Sequence, residues 1–383
     1  MLLLRTAMSR FRTLLSVIPY PLFPTTSAGR KSILHFNNRL SKKIKVVAAC
    51  AGDAPPPDKT SFKCVLPLGN SKLRYINLFL AGRLARTIKE SGADFVLFEH
   101  PYMAWMGLAA ARRAGVKWGI RSHNIEYDRF RSFGKWWWKI LRRYELWLYS
   151  RANAVFFITD DDQREASLHT KLRHSFVMPT GMLVSAAPTD NAACKAWLRA
   201  QHDIAADERI LLYNGALDYG PNVQALDAIL ETINPQLMAA EGFRYKLLVC
   251  GNGLPEKYHA LETYRDQHII FCGFVDDISI YFKGADVYLN PLIGGGGIKT
   301  RTVEALAFNT NVVSSQNGSI GLNYSGNEAK VAVVADFDWA AFAAETIRMA
   351  MAHTPDTTQG FYDYYCWDAI LDRFIAQVDQ VLL

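Results

Sequence analysis

Between Asn290 and Ser315 the chain reads Asn-Pro-Leu-Ile-Gly-Gly-Gly-Gly-Ile-Lys-Thr-Arg-Thr-Val-Glu-Ala-Leu-Ala-Phe-Asn-Thr-Asn-Val-Val-Ser-Ser. Gly294 to Gly297 have no side chains, so the backbone there can approach a ligand closely. The apolar period that follows predicts a helix over 302–308. The free amides and partial positive charge of a helix N-terminus attract anions. Lys299 and Arg301 add two cations to that mouth, and Glu304 stands in the first predicted turn. The set suits a diphosphate with a ribose diol beside it, the diol donating hydrogen bonds to Glu304. A flexible loop before an ordinary surface helix would need a capping acid at most, not two cations and a carboxylate behind four glycines.

Other residue types with chemical potential are more scattered. His123 directly follows an apolar stretch ending at Arg121, with Glu126 three positions on, and Glu99 and His100 follow the preceding stretch. A histidine just past a strand end is a cleft residue as readily as a structural one. Asp160-Asp161-Asp162 lies between a strand and a helix and reads as a capped acidic turn, not a metal site. Gly251-Asn252-Gly253 lacks the third glycine and the later acid of a dinucleotide fingerprint, which argues against a nicotinamide cofactor. Residues 133–149 interleave tryptophans with Lys135, Lys139, Arg142 and Arg143 at helical spacing. That composition fits either a helix lying on anionic lipid or one whose apolar side faces the core. A nucleic-acid reading is poorer, because no binding module accompanies these residues.

The elements that must position these groups alternate along the whole chain. Strands are predicted over 13–19, 44–49, 94–98, 116–121 and 154–159, with helices over 29–40, 76–91 and 102–114 between them. The pattern restarts with strands over 209–213, 245–250, 269–271, 286–290 and 311–315, with a helix from Asn222. Alternating strands and helices predict parallel sheets covered on both faces, which bind ligands at the carboxyl ends of their strands. With 383 residues, half of them hydrophobic and 21% charged, two globular domains are expected. The break belongs around 178–193, where Pro179, Gly181 and Pro188 punctuate a stretch without period.

Six cysteines, far apart and without Cys-x-x-Cys spacing, predict neither a bridge framework nor a zinc site. No stretch reaches the roughly twenty uncharged apolar residues a spanning helix needs, and Leu14 to Ile18 is too short for a signal-peptide core. The expected location is cytoplasmic, with a peripheral position on an inner membrane face as the variant. Residues 1–185 carry 30 Lys and Arg against 12 Asp and Glu, whereas residues 186–383 carry 13 against 24. A basic first half suggests an anionic partner for it, although two halves of opposite sign could also simply attract one another.

The glycine-cation segment resembles the donor-site signature of group 1, family 4 glycosyltransferases, in the branch reading Gly-Gly-Gly-Ile-Lys-x-Lys/Arg before Glu-Ala-Leu-Ala. Pro19-Tyr-Pro21, Ser122-His-Asn-Ile-Glu-Tyr127, Asn214 to Asn222, Leu248 to Gly253, Gly273-Phe-Val-Asp-Asp277 and Cys366-Trp-Asp368 agree in order along the chain. The resemblance implies a GT-B fold of two Rossmann-like domains facing each other across a cleft. It assigns residues 1–185 to the acceptor, with a C-terminal helix over 365–383 packing back on them, and 186–364 to the nucleotide-sugar donor. It implies sugar transfer from a nucleoside diphosphate sugar to an acceptor hydroxyl, with retention, without an essential metal or other cofactor, in polysaccharide or glycolipid synthesis. The acceptor would be a glycan or a lipid-linked sugar.

By the same resemblance Glu304 would grip the ribose, Lys299 and Arg301 the diphosphate, and the amides of Gly296, Gly297 and Ile298 the phosphate or sugar. His123 would reach the transferring sugar, and Gly29 would lie near the diphosphate. The chain departs from the family pattern in having Gly296 where a first glutamate is common. It also has Ala216, Leu217 and Asp218 where many relatives carry an Arg and a Lys, so Lys299 and Arg301 would serve the leaving group. An epimerase on the same fold, or a non-catalytic protein with a degenerate donor site, are the alternatives.

Overall fold

The runs of Val, Leu, Ile and Phe that predict strands lie in two all-parallel sheets, one in each of two units of the chain. The computed structural model describes residues 9–25, 28–52, 58–294 and 298–383. Unit 1 comprises Met1–Gly181 with Tyr365–Leu383, and unit 2 comprises Met182–Tyr364.

Unit 1 is built on β1 (Thr13–Ile18), β2 (Lys45–Ala51), β3 (Lys63–Gly69), β4 (Phe95–Glu99), β5 (Lys117–Ser122), β6 (Ala154–Phe157) and β7 (Ser175–Val177), in the order β3-β2-β1-β4-β5-β6-β7. Its helices are α1 (Ala28–Leu40), α2 (Leu78–Ser91), α3 (Trp105–Ala114), α4 (Glu126–Ser132), α5 (Trp138–Arg151) and α6 (Asp160–His169). Every residue of β1 and β4 is buried, as expected where helices cover both faces of a parallel sheet. The sheet order reverses direction between β1 and β4, which makes their carboxyl ends the place where loops diverge and leave room for a ligand.

Unit 2 repeats the scheme with β8 (Arg209–Asn214), β9 (Tyr245–Cys250), β10 (Ile269–Gly273), β11 (Val287–Asn290), β12 (Asn311–Ser315) and β13 (Val331–Val334), in the order β10-β9-β8-β11-β12-β13. Its helices are α7 (Asn191–His202), α8 (Gly220–Ala228), α9 (Asn234–Met238), α10 (Ile278–Gly284), α11 (Thr300–Ala307), α12 (Gln316–Ser319), α13 (Trp339–Met351) and α14 (Gln359–Tyr365), whose last residue falls in unit 1. The reversal here lies between β8 and β11.

The last helix, α15 (Trp367–Leu382), belongs to the core of unit 1. Trp367, Ile370, Leu371, Phe374, Val378 and Val381 are buried, the three-and-four spacing of a helix with one apolar side. Phe374 packs its ring against Phe11, Phe36 and Phe156. A carboxylate oxygen of Asp379 accepts from the amides of Arg10 and Phe11 at 2.9 Å each, fixing the helix to the entry of β1. Gly181 is needed for this docking, since a Cβ there would sit 2.3 Å from the Trp367 ring.

Candidate functional site

In unit 2 the chain leaving β11 is pinned before it reaches the glycines. The amide of the buried Asn290 donates to Ser314 Oγ and to the Gly318 carbonyl, both at 2.9 Å. Ser315 Oγ donates to the Leu292 carbonyl at 2.5 Å and accepts from the Gly318 amide. Gly296 and Gly297, assigned to the phosphate by resemblance, lie outside the described residues. The chain is described again from Ile298, and Lys299 occupies the N-cap position of α11.

This helix begins at Thr300, two residues before the predicted start, because the polar Thr300 and Arg301 carry no apolar mark of the first turn. Glu304 therefore stands in the second turn and not in the first. There it meets Arg301, whose Nη1 lies 2.5 Å from Glu304 Oε2, an i,i+3 pair. Burial pulls the Arg301 guanidinium down but Glu304 outweighs it, so its pKa is raised. Burial lowers Lys299 to about 8, within reach of neutral pH. The structure thus brings together Ile298, Lys299, Arg301 and Glu304 on one loop-to-helix junction.

The neighbouring loops are stitched to each other. Gly215 donates to the Cys250 carbonyl at 3.1 Å, Leu217 to Asn252 at 2.8 Å, and Gly251 to Gly273 at 2.8 Å. Gly251 has φ of 152°, and a Cβ there would lie 2.0 Å from the Gly215 carbonyl oxygen, so no other residue permits this approach. Gly251-Asn252-Gly253 is accordingly a packing device between β8 and β9.

Unit 1 holds a second cluster at the ends of β4 and β5, built around the buried Glu99, His100, Arg121, His123 and Glu126. Glu99 closes β4 opposite Arg121, and the chain then turns at His100, whose φ is 73°. That turn, which costs a non-glycine residue energy, sends successive side chains to different partners. Glu99 Oε2 lies 2.7 Å from His123 Nε2, while His100 Nδ1 lies 3.1 Å from Glu126 Oε1. The imidazoles of His100 and His123 stack at 4.4 Å between centroids, and Tyr102 stacks on the outer face of His100. Tyr20, in the loop after β1, brings its hydroxyl to 2.9 Å from His100 Nε2. Gly29, in the first turn of α1, lies beside the same hydroxyl, 3.6 Å from where its own Cβ would be.

The charges are held by further pairs. Arg121, fully buried, places Nη1 3.5 Å from Glu99 and donates to Ser32 Oγ at 2.9 Å. Burial raises the pKa of Glu99, but Arg121 and His123 outweigh it and hold the carboxylate below its usual value. Burial likewise opposes ionisation of Glu126, yet His100, Tyr102 and Arg129 bring it to about 2. His123 is driven to about 3, first by burial and then by His100 and Arg121. The start of α4 is fixed by Glu145 of α5, which accepts from the amides of Glu126 and Tyr127.

Asp160 to Asp162 form the first turn of α6, capped by Thr159 through the Asp162 amide at 3.0 Å. Among the described residues no group of three or more His, Cys, Asp or Glu is placed to hold a metal ion, and no helix is long and apolar enough to cross a membrane. The Trp/Lys segment divides its side chains. Leu148 and Tyr149 of α5 are buried, whereas Phe133, Trp136, Ile140 and Trp147 are exposed beside Lys139 and Arg143. Sequence reasoning missed a second exposed apolar stretch, Leu73, Ile76, Leu78 and Phe79, at the start of α2. It also missed Tyr20 and Arg121 as partners of the histidine cluster, since neither has a spacing signal that points to it.

Two family models match the chain: "Glycosyltransferase Family 4" over residues 30–182 and "Glycosyl transferases group 1" over residues 208–351. No curated protein matches its sequence. Among solved structures it is similar to a glycosyltransferase from Rickettsia africae (14% identity, covering 97% of this chain and 99% of that one, TM-score 0.69). It is also similar to Anabaena HepE in complex with UDP (13%, 97% and 100%, TM-score 0.68). A sucrose-phosphate synthase from Thermosynechococcus elongatus is similar at 16% identity, 96% and 99% coverage and a TM-score of 0.67. With a family 4 first unit, a group 1 second unit and a parallel sheet in each, the chain belongs to the group 1, family 4 glycosyltransferases of GT-B fold.

Proposed function

We propose that the protein transfers a sugar from a nucleoside diphosphate sugar to an acceptor hydroxyl, with retention of configuration, in the making of a polysaccharide or glycolipid. Unit 2 serves the donor and unit 1 the acceptor. The single observation that carries this reading is the junction of β11 and α11, where a glycine run delivers the partly buried Lys299 to a helix N-cap one residue before Thr300 and two before Arg301. Anabaena HepE, similar in fold, is described with UDP, with UDP and glucose and with UDP-glucose, which supports a nucleotide-sugar donor here.

Breaking the glycosidic bond leaves a diphosphate carrying new negative charge. Lys299 and Arg301 meet that charge with cations already in place, which lowers the barrier without reorganisation, and by the family resemblance the amides of Gly296, Gly297 and Ile298 serve the phosphate or the sugar. Glu304 accepts from the ribose diol and holds Arg301 in position. Gly29 lets the backbone of unit 1 approach the diphosphate, and His123 contacts the transferring sugar. No step in this scheme calls on a metal or other cofactor.

The acceptor is a glycan or a lipid-linked sugar. Trp136, Ile140 and Trp147 point outward beside Lys135, Lys139 and Arg143, and Leu73, Ile76 and Phe79 are exposed near Lys72. Apolar side chains among cations favour an anionic lipid surface, which supports a peripheral position on a cytoplasmic membrane face.

A screen of nucleoside diphosphate sugars for nucleotide release, with and without lipid-linked acceptors, tests the reading. Acceptor-dependent release is expected. Conversion of donor alone to an epimer, or no binding of UDP, GDP or ADP by calorimetry, would overturn it.

A further inference from the structure

The buried cluster of unit 1 fixes where hydrogens lie, and that has a consequence for what His123 can recognise. The Glu99 carboxylate is ionised beside Arg121, so it only accepts hydrogen bonds. The ring nitrogen 2.7 Å from it, His123 Nε2, must then carry a hydrogen. A neutral imidazole has one N–H, and burial together with His100 and Arg121 keeps His123 neutral. Nδ1 is left with its lone pair. The stacked His100 covers one face of the ring.

His100 is oriented in the opposite sense. Its Nδ1 faces the Glu126 carboxylate, which Arg129 also holds at 3.0 Å, so Nδ1 carries the hydrogen there. The two carboxylates thus hold two parallel rings with different nitrogens protonated.

We propose that Glu99 is a positioning residue that locks His123 as the Nε2–H tautomer, so that Nδ1 is a fixed acceptor for a hydroxyl of the substrate sugar. The lock stands on the geometry of unit 1 alone. The sugar contact rests on the functional reading given above. A fixed acceptor rejects a sugar lacking the hydroxyl, because its lone pair is then buried without a partner.

The test uses the full chain labelled with ¹⁵N-histidine and long-range ¹H–¹⁵N spectra, with His123 assigned by its loss in His123→Asn. The parent is expected to show Nε2 protonated and Nδ1 bare between pH 6 and 8, without titrating. Glu99→Gln, whose amide can donate as well as accept, is expected to give a mixture of tautomers. A parent with Nδ1 protonated overturns the lock, and so does an unchanged tautomer in Glu99→Gln. The parent spectrum decides the matter even where that variant does not fold.

A second arm compares calorimetric affinities for UDP and UDP-glucose. Glu99→Gln and His123→Asn are each expected to reduce the gain from the glucosyl group about tenfold, the worth of one hydrogen bond, while UDP affinity is kept. A sugar-dependent gain that is absent in the parent, or untouched in both variants, overturns the sugar contact while leaving the tautomer result to stand or fall alone.

Discussion

The two candidate half-sites sit at equivalent points of their sheets, past the strand ends where the order reverses, yet they are constructed in opposite ways. In unit 1 the chemistry is carried by side chains: Glu99, Arg121 and Glu126 are fully buried, and each histidine is held by a carboxylate and by a neighbouring ring. In unit 2 it is carried by a glycine run, a helix N-terminus and the half-exposed pair of Arg301 and Glu304. A buried charge network is rigid because removing any member leaves another unpaired, whereas a backbone site tolerates change in its side chains until a ligand needs them. The first arrangement suits reading a hydroxyl at a set position, the second gripping a flexible diphosphate.

The difference predicts different failures. Arg121→Met strands the Glu99 carboxylate and should cost about 3–5 kcal/mol of stability, read as a lower urea midpoint, with the Arg121–Glu99 pair as its cause. If unit 1 keeps its stability, the cluster is not the rigid network described. Lys299→Ala should leave the urea midpoint where it was and cut turnover about 10²- to 10³-fold, the loss seen when one charge-stabilising donor is removed. Full turnover in that variant would remove Lys299 from the leaving-group role.

A smaller effect is expected from pH. Lys299 binds an anion as the ammonium, and its pKa is lowered to about 8. Nucleotide affinity should therefore fall as pH rises through that value, approaching tenfold per unit. Lys299→Arg serves as the control, since a guanidinium keeps its charge throughout and leaves only the ligand's own titration. An identical pH dependence in both proteins would exclude Lys299 as the titrating group. Smallest of all, Glu304→Gln should weaken UDP binding a few-fold, about the worth of one hydrogen bond. The parent should discriminate against 2′-deoxy-UDP and the variant should not. Equal discrimination by both would take the ribose from Glu304.

Much of this was legible in sequence because the central strands are long buried runs: β1, β4, β8, β9 and β12 lie within a residue or two of their predicted bounds. The elements that escaped are those with weak patterns. β3 is an edge strand holding Pro67, with two register shifts against β2, and only two of its seven residues are buried. β7 has three residues and β13 four, too few to display a period. The donor loop was readable since its glycines and cations are contiguous. The crossed pairing of Glu99 with His123 and His100 with Glu126 was not, even though all four residues were noted as polar groups near strand ends. Contacts between residues 24 and 26 apart depend on the alignment of β4 with β5 and on the backbone turn at His100. Neither leaves a mark in composition or spacing.

Because α15 completes the core of unit 1, unit 2 is an insertion, covalently spliced into its host at 181/182 and 364/365. A premature stop just after residue 364 would spare every strand of unit 2 and strip Trp367 and Phe374 from the other unit. The segment to excise for asking whether one unit alone binds a nucleotide is thus the interior one, and the two termini must be kept together in any split of the gene.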